Sequence, residues 1–179
     1  MKILSIITPI GYGGGENQLV LLCKEFKKLG IEIAVINLTK SEEFEKILKE
    51  IGVPFLTLSN YKIGFGVSQK EYLNLFFKLI PYIISQKPVE STFGKVDLLW
   101  AHGFPANASA VLMRKTGKVG KYIKLVYSHH SLKSPMSGLA RLIYERILDS
   151  FDLIVGVSSK TSKSLVKVFP KLKEKIITI

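Results

Sequence analysis

The sequence has one cysteine among its 179 residues. Cys23 therefore has no partner for an internal disulfide, and a disulfide-stapled scaffold is excluded. It falls on an apolar helical face, which reads as a buried structural thiol in a reducing compartment, so the expected location is the cytoplasm. No stretch reaches the ~18 uninterrupted apolar residues that a bilayer span requires. The opening "MKILSIITPIGYGGG" has a lysine and an apolar run but no small-residue cleavage site. Thr8 and Pro9 interrupt that run, so it reads as a strand and not as a signal peptide. Acidic residues are scarce, 14 against 26 Lys and Arg, giving a formal charge of +12. Such a balance attracts anionic partners. The basic residues are scattered, however, with no run of four or more. That pattern suits solvated helix faces and attraction to an anionic membrane surface, with peripheral association at its inner face. It gives no support to nucleic-acid binding.

Two nucleotide-binding signatures are also missing. The stretch "ITPIGYGGGENQLVLL" carries four glycines in five positions, but no Gly-Lys-Ser/Thr follows, so it is no Walker A loop. Counted from Gly11, a glutamate, Glu16, stands where a dinucleotide fingerprint has its third glycine, and "INLTK" supplies Asn37 but no carboxylate for a ribose. What remains is physical. Consecutive glycines at a helix start let backbone N–H groups approach a ligand closely at the positive end of the helix dipole; a tight turn alone is the plainer reading.

What the sequence does contain is alternation. "KILSIIT" and "IEIAVINL" are β-branched runs flanking "GENQLVLLCKEFKKLG", whose Leu19, Leu22, Cys23 and Phe26 recur at helical spacing. A βαβ unit with a parallel sheet follows. "SEEFEKILKEIG" reads as a charged helix with Ser41 as N-cap. "VPFLTLS", "VDLLWAH", "YIKLVYS", "FDLIVGVS" and "KIITI" read as further strands, with helices near 105–115, 137–150 and 159–169. Strongly apolar strands separated by helices predict a sheet covered on both faces: an α/β, doubly wound, Rossmann-like domain of about six or seven mostly parallel strands. There are no internal repeats or low-complexity tracts. The segment 59–95 fits least well. "QKEYLNLFFKLIPYIISQ" is helical in period, but Pro81 is expected to kink or split it. Its Phe76, Phe77, Ile80, Ile83 and Ile84 suit either the core or a surface that meets a membrane or lipidic substrate. "KPVESTFGK" reads as an exposed loop.

All three histidines fall just past strand ends, the edge where doubly wound sheets place their chemistry. "LLWAHGFPANA" puts His102 and Gly103 after the fourth strand, and "LVYSHHSLKSP" puts His129 and His130 after the fifth. Histidine there can orient a sugar hydroxyl, bond a phosphate or transfer a proton. A metal site is not expected, because no acidic or cysteine ligand accompanies them at tight spacing.

These landmarks resemble, in order and over nearly the whole chain, the start of a family-4 glycosyltransferase of the GT-B fold. Gly14, Gly15 and Glu16 approximate that family's Gly-Gly-x-Glu loop, with Glu16 directly after a third glycine, Gly13. "VDLLWAHG" is similar to its Asp-Val-Val-His-x-His-Gly strand, with Trp100 replacing the first histidine. "LVYSHHS" is similar to Val-Val-x-Thr-x-His-Gly, placing His130 on the functional histidine and His129 on the variable position. "FDLIVGVSS" and "KIITI" resemble Ala-Asp-x-Ile-Ile-x-Val-Ser and Lys-Ile-x-Val-Ile. In the family a Pro-Asn-Gly-Val-Asp and a second Rossmann domain, which holds most nucleotide-sugar contacts, follow directly. The resemblance therefore implies that residues 1–179 are the amino-terminal, acceptor-side half, inactive without the donor-binding domain.

In the intact enzyme so implied, a retaining glycosyltransferase of hexosyltransferase type, a sugar passes from a nucleotide-sugar to a glycan, lipid-linked or small-molecule hydroxyl, with no cofactor or metal. The N–H groups of the Gly13–Gly15 loop face the donor's distal phosphate. His130 is the catalytic candidate, bonding a donor hydroxyl or the acceptor. His102, Gly103, His129 and Lys133 are substrate-binding candidates. Glu16 has a structural or acceptor-positioning role, and Arg114 and Lys133 are exposed candidates for anionic acceptors. Two rivals stay open: a nucleotide-binding oxidoreductase on the same fold, and a basic stand-alone module that binds a partner or a membrane.

Overall fold

The computed structural model describes residues 1–10, 13–64, 66, 68–130 and 138–179, with the side chains at 69, 139 and 140 outside that description. Seven strands form one sheet in the order β3-β2-β1-β4-β5-β6-β7, and every neighbouring pair is parallel. They are β1 (Lys2–Ile7), β2 (Glu32–Asn37), β3 (Phe55–Thr57), β4 (Leu98–His102), β5 (Lys124–His129), β6 (Leu153–Gly156) and β7 (Ile176–Thr178). Among the described residues the α-helices are α1 (Gly14–Lys28), α2 (Glu42–Glu50), α3 (Gln69–Ser85), α4 (Val89–Phe93), α5 (Ala106–Lys115), α6 (Gly138–Asp149) and α7 (Ser159–Val168), with a 3-10 turn at Pro170–Lys175.

Side-chain alternation along each strand sorts the core into two layers. Ile3, Ile7, Ile33 and Val35 pack with Leu19, Val20 and Cys23 of α1 and Phe44 and Leu48 of α2. The opposite parity, Leu4, Ile6, Leu99, Leu125 and Ile154, packs with α3, α5, α6 and α7. Strands buried from both sides cannot alternate apolar with polar residues, which is why they read as near-continuous apolar runs. The doubly wound, mostly parallel architecture read from the sequence is the one observed.

Strand order reverses between β1 and β4: the chain winds outward from β1 through β2 and β3, then returns to β4 and winds the other way. This is the topological switch point, outside whose carboxyl edge open α/β sheets bind their ligands. Ile7 of β1 stands in register with His102 of β4, and His102 with Ser128 of β5. The loops after β1 and β4 therefore leave the sheet side by side.

Two local expectations are corrected. Pro81 does not split α3, which runs unbroken from Gln69 to Ser85. The missing N–H would have met the Phe77 carbonyl, and both residues lie on the exposed side of the helix. Ser68 and Glu71 form a capping box that sets the start of α3, with Ser68 N donating to Glu71 Oε2 at 2.7 Å. "KPVESTFGK" is not an exposed loop, because Val89 and Phe93 form α4 and insert into the core. Two apolar residues four apart anchor one helical turn, and Gly94 at φ 72° ends it. Ser41 caps α2 as expected, accepting from Phe44 N at 3.4 Å.

Candidate active site

The loop after β1 is closed by its own glutamate. Glu16 is 2% exposed, and its carboxylate accepts from Ile10 N (2.7 Å, Oε1) and Gly13 N (3.2 Å, Oε2). A short-range carboxylate clamp thus ties the incoming strand to the first turn of α1, where a negative charge also suits the helix dipole. With both oxygens on backbone donors, Glu16 acts as the loop's scaffold. Gly13 is the N-cap in extended conformation and its carbonyl accepts from Asn17 N at 3.0 Å. Gly14 and Gly15 follow in helical conformation with negative φ, and nothing lies within 4 Å of where a Cβ on either would stand. Their glycine identity is thus demanded neither by backbone strain nor by packing. It leaves the first-turn N–H groups, which have no intrahelical acceptor, open to close approach.

His102 ends β4. Its ring stacks on Trp100 at 5.3 Å between centroids and 26° between planes. Trp100 is itself fixed, donating Nε1–H to Ser128 Oγ at 2.8 Å and packing on Phe26 of α1 at 5.9 Å. His130, just past β5, approaches His102 at 6.0 Å. Burial drives the His102 pKa down to about 3, with the nearby His130 adding to the effect, and burial also lowers His130. Both imidazoles are therefore neutral at physiological pH. Among the described residues, neither ring nitrogen of His102 nor Nε2 of His130 has a hydrogen-bond partner. A neutral imidazole offers one donor and one acceptor nitrogen, and unpaired buried polar atoms of this kind are uncommon in native structures.

His129 turns the other way. Strand alternation points it to the opposite sheet face, where it is 5% exposed and Nδ1 lies 2.9 Å from Tyr127 Oη. It does not project into solvent, as a freely solvated ring would. Tyr127 Oη meets Tyr144 Oη at 3.0 Å, and Asn107 Nδ2 donates to Tyr144 Oη at 3.3 Å. This buried chain links β5, α6 and α5, and burial raises both phenols. The residues that make it were not recognised in the sequence; the signal available was adjacency, because consecutive strand residues such as His129 and His130 must face opposite sides.

Gly103 adopts φ 71°, which only glycine tolerates readily. It turns the chain from β4 toward α5, its N–H bonded to Ser128 O (3.2 Å) and its carbonyl accepting from Asn107 N (3.1 Å). Its placement at the rim stands, with a turn-forming duty attached. Arg114, expected as an exposed candidate for anionic acceptors, is half-buried. It lies at the amino edge of the sheet, donating to Ser150 O at 2.7 Å beside Asp152. Lys133 lies outside the described residues. The structure therefore brings together His102, His130 and, one strand away, the glycine-led start of α1. It separates His129 and Arg114 from them.

Comparison with known proteins bears on the family and the fold. The model of Glycosyltransferase Family 4 matches residues 12–179. No functionally curated protein matches the chain. Among solved structures, Anabaena Alr3699/HepE in complex with UDP-glucose superposes with TM-score 0.67 at 18% identity, over 100% of this chain and 43% of that one. A glycosyltransferase from Rickettsia africae gives TM-score 0.67 at 18% identity, over 99% and 42%. A putative UDP-N-acetylglucosamine 2-epimerase from Listeria monocytogenes gives 0.61 at 15%, over 98% and 44%. At such identities these likenesses show the fold, and the chain spans less than half the length of each. Where the neighbours are GT-B glycosyltransferases, it covers their amino-terminal half. With the family model matching residues 12–179 and the sheet switching direction at the loop that model includes, the chain belongs to glycosyltransferase family 4.

Proposed function

We propose that the chain is the acceptor-side half of a retaining glycosyltransferase that moves a sugar from a nucleotide-sugar to a hydroxyl acceptor, with the donor held by a second Rossmann-like domain. The observation that carries this reading is the pair of neutral imidazoles, His102 and His130, at the switch point beside the bare glycine start of α1. As the glycosidic bond of the donor breaks, negative charge grows on the departing diphosphate. The N–H groups of Gly14 and Gly15, already oriented by α1 and clamped by Glu16, stabilise that charge without reorganising. His130, half-buried and neutral, offers one acceptor and one donor nitrogen to a sugar or acceptor hydroxyl. His102 holds the ring geometry from beneath, fixed by its stack on Trp100. No step requires a metal or cofactor. Where the oxidoreductase alternative would end β2 on a carboxylate, the strand ends on Asn37, which is buried and donates to Thr57 Oγ1 at 3.5 Å; the nearby Glu45 carboxylate, on α2, is taken up by the Thr57 hydroxyl at 2.8 Å.

Amide and imidazole NMR of this chain, titrated with a panel of nucleotide-sugars, tests the reading. Shifts centred on Gly13–Gly15 and His130, with negligible turnover, are expected. Saturable NAD binding at the same loop, or robust transfer by this chain alone, refutes it.

A further inference from the structure

The buried polar chain behind β5 has a direction, and one amide sets it. Asn107 is fully buried. Its Oδ1 accepts from Ala108 N at 2.6 Å, and its Nδ2 lies 3.3 Å from Tyr144 Oη. Turning the amide over would set an NH2 group 2.6 Å from a backbone N–H, donor against donor, so chemistry allows only one orientation. Tyr144 Oη therefore accepts from Asn107. Among the described residues its own proton has one place to go, Tyr127 Oη at 3.0 Å, and the Tyr127 proton then goes to His129 Nδ1 at 2.9 Å. The reverse order, with His129 Nδ1–H donating to Tyr127 and Tyr127 to Tyr144, leaves the Tyr144 O–H without an acceptor among those residues. With Tyr144 only 2% exposed, that unpaired donor would carry its full desolvation cost. The chain thus runs from Asn107 through Tyr144 and Tyr127 to His129, which carries its proton on Nε2.

What the chain joins gives it a duty. Gly103 directly follows His102, and its carbonyl accepts from Asn107 N at 3.1 Å, so one end is fixed to the turn after β4. His129 directly precedes His130, so the other end is fixed to the close of β5. On the opposite face of the sheet, Trp100 donates to Ser128 Oγ at 2.8 Å and stacks on His102. The ends of β4 and β5 are fastened from both faces. The two imidazoles approach each other at 6.0 Å, yet neither ring nitrogen of His102 nor Nε2 of His130 has a partner among the described residues. What holds the pair therefore lies in the residues that flank it. Ring packing keeps both phenols of the chain in line: Tyr127 stands 5.6 Å from Phe151, and Tyr144 stands 5.9 Å from Phe169 and 6.1 Å from Phe104.

We propose that Asn107, Tyr144 and Tyr127 are positioning residues for the candidate site: a one-way hydrogen-bond chain that locks His129 in its Nε2–H tautomer and, through that ring, holds His130 against His102. That His102 and His130 are the working pair rests on the function proposed above; how they are held does not depend on it.

Heteronuclear NMR of the imidazoles tests this with no ligand present, so the outcome is separate from whether the chain takes up a nucleotide-sugar. In the wild type at neutral pH, His129 should show a protonated Nε2 and an unprotonated, hydrogen-bonded Nδ1. Y127F removes the hydroxyl that meets His129 and keeps the ring. In that variant the through-space cross-peak between the His102 and His130 rings should fall about twofold or more, with circular dichroism as in the wild type. Because the cross-peak falls so steeply with distance, about 0.5 Å of added separation is enough, the tolerance to which a working site is held. Y144F leaves Tyr127 bonded to His129 and breaks the link to Asn107, so a smaller fall is expected. A wild-type His129 protonated on Nδ1 overturns the proposal. So does a folded Y127F, or Y144F should Y127F not fold, that loses stability but keeps the His102–His130 cross-peak unchanged, which would make the chain packing alone.

Discussion

Replacing Glu16 by alanine is the sharpest perturbation of the candidate site's architecture. The carboxylate is almost wholly buried and accepts two backbone hydrogen bonds, from Ile10 N and Gly13 N. Hydrogen bonds to a charged acceptor contribute about 1.5–3 kcal/mol each. Ile10 and Gly13 are only half-buried, so water can take over part of each bond and the lower end applies. The expected loss for E16A is therefore about 2–3 kcal/mol, a substantial share of a stability of roughly 5–15 kcal/mol. E16Q keeps one carbonyl acceptor but turns an amide N–H toward a backbone N–H, so a loss of about 1–2 kcal/mol is expected. Urea unfolding followed through the single tryptophan, Trp100, measures both, and hydrogen exchange at the Ile10 and Gly13 amides shows where the loss arises. The two amides should lose protection in E16A before the sheet amides do. An E16A protein within about 0.5 kcal/mol of wild type, the range of neutral surface changes, with both amides still protected, would refute the clamp.

Three further outcomes follow from the same geometry. His102 has its pKa lowered from 6.5 to about 3, so below pH 6.5 the unfolded chain binds a proton that the native protein refuses. Its contribution to stability is complete above that pH and is lost as pH falls toward 3. About 2 kcal/mol should be gone at pH 5, and H102F, which keeps a stacked ring without titrating, should show a shallower decline in urea midpoint over that range. Gly156→Ala would place a Cβ 2.1 Å from Ser162 Oγ and 3.0 Å from Ser162 N. Because the second contact is backbone, a loss of about 2–3 kcal/mol is expected, and S162A should restore only part of it in thermal unfolding. Burial pushes the Cys23 thiol up to about 12, so a thiol reagent at neutral pH should modify it in urea but not in the native protein.

Local pattern was enough to recover much of this molecule. Strand and helix periods differ, so the alternation of "KILSIIT" or "FDLIVGVS" with amphipathic runs fixed both the element order and the parallel sheet. The chemistry-bearing loops at its carboxyl edge followed, because parallel strands must all exit on one side. The absence of Gly-Lys-Ser/Thr and of a ribose carboxylate was equally legible, since those depend on residue identity alone. What no local pattern carries is which side chains meet across strands. His129 and His130 are adjacent in sequence but face opposite layers, one tied to Tyr127 and the other approaching His102. Arg114 resembled an exposed candidate until α5, running antiparallel to the strands, carried it to the amino edge beside Asp152. The two apolar stripes of α3 read as one broad apolar helix in sequence, and only the packing of Leu75, Leu79 and Ile83 shows which stripe remains exposed. The sequence determined the order of elements and the edge where chemistry collects, because both follow from backbone periodicity. The tertiary structure decided the pairing, burial and outward face of individual side chains, because these depend on contacts between segments far apart in the chain.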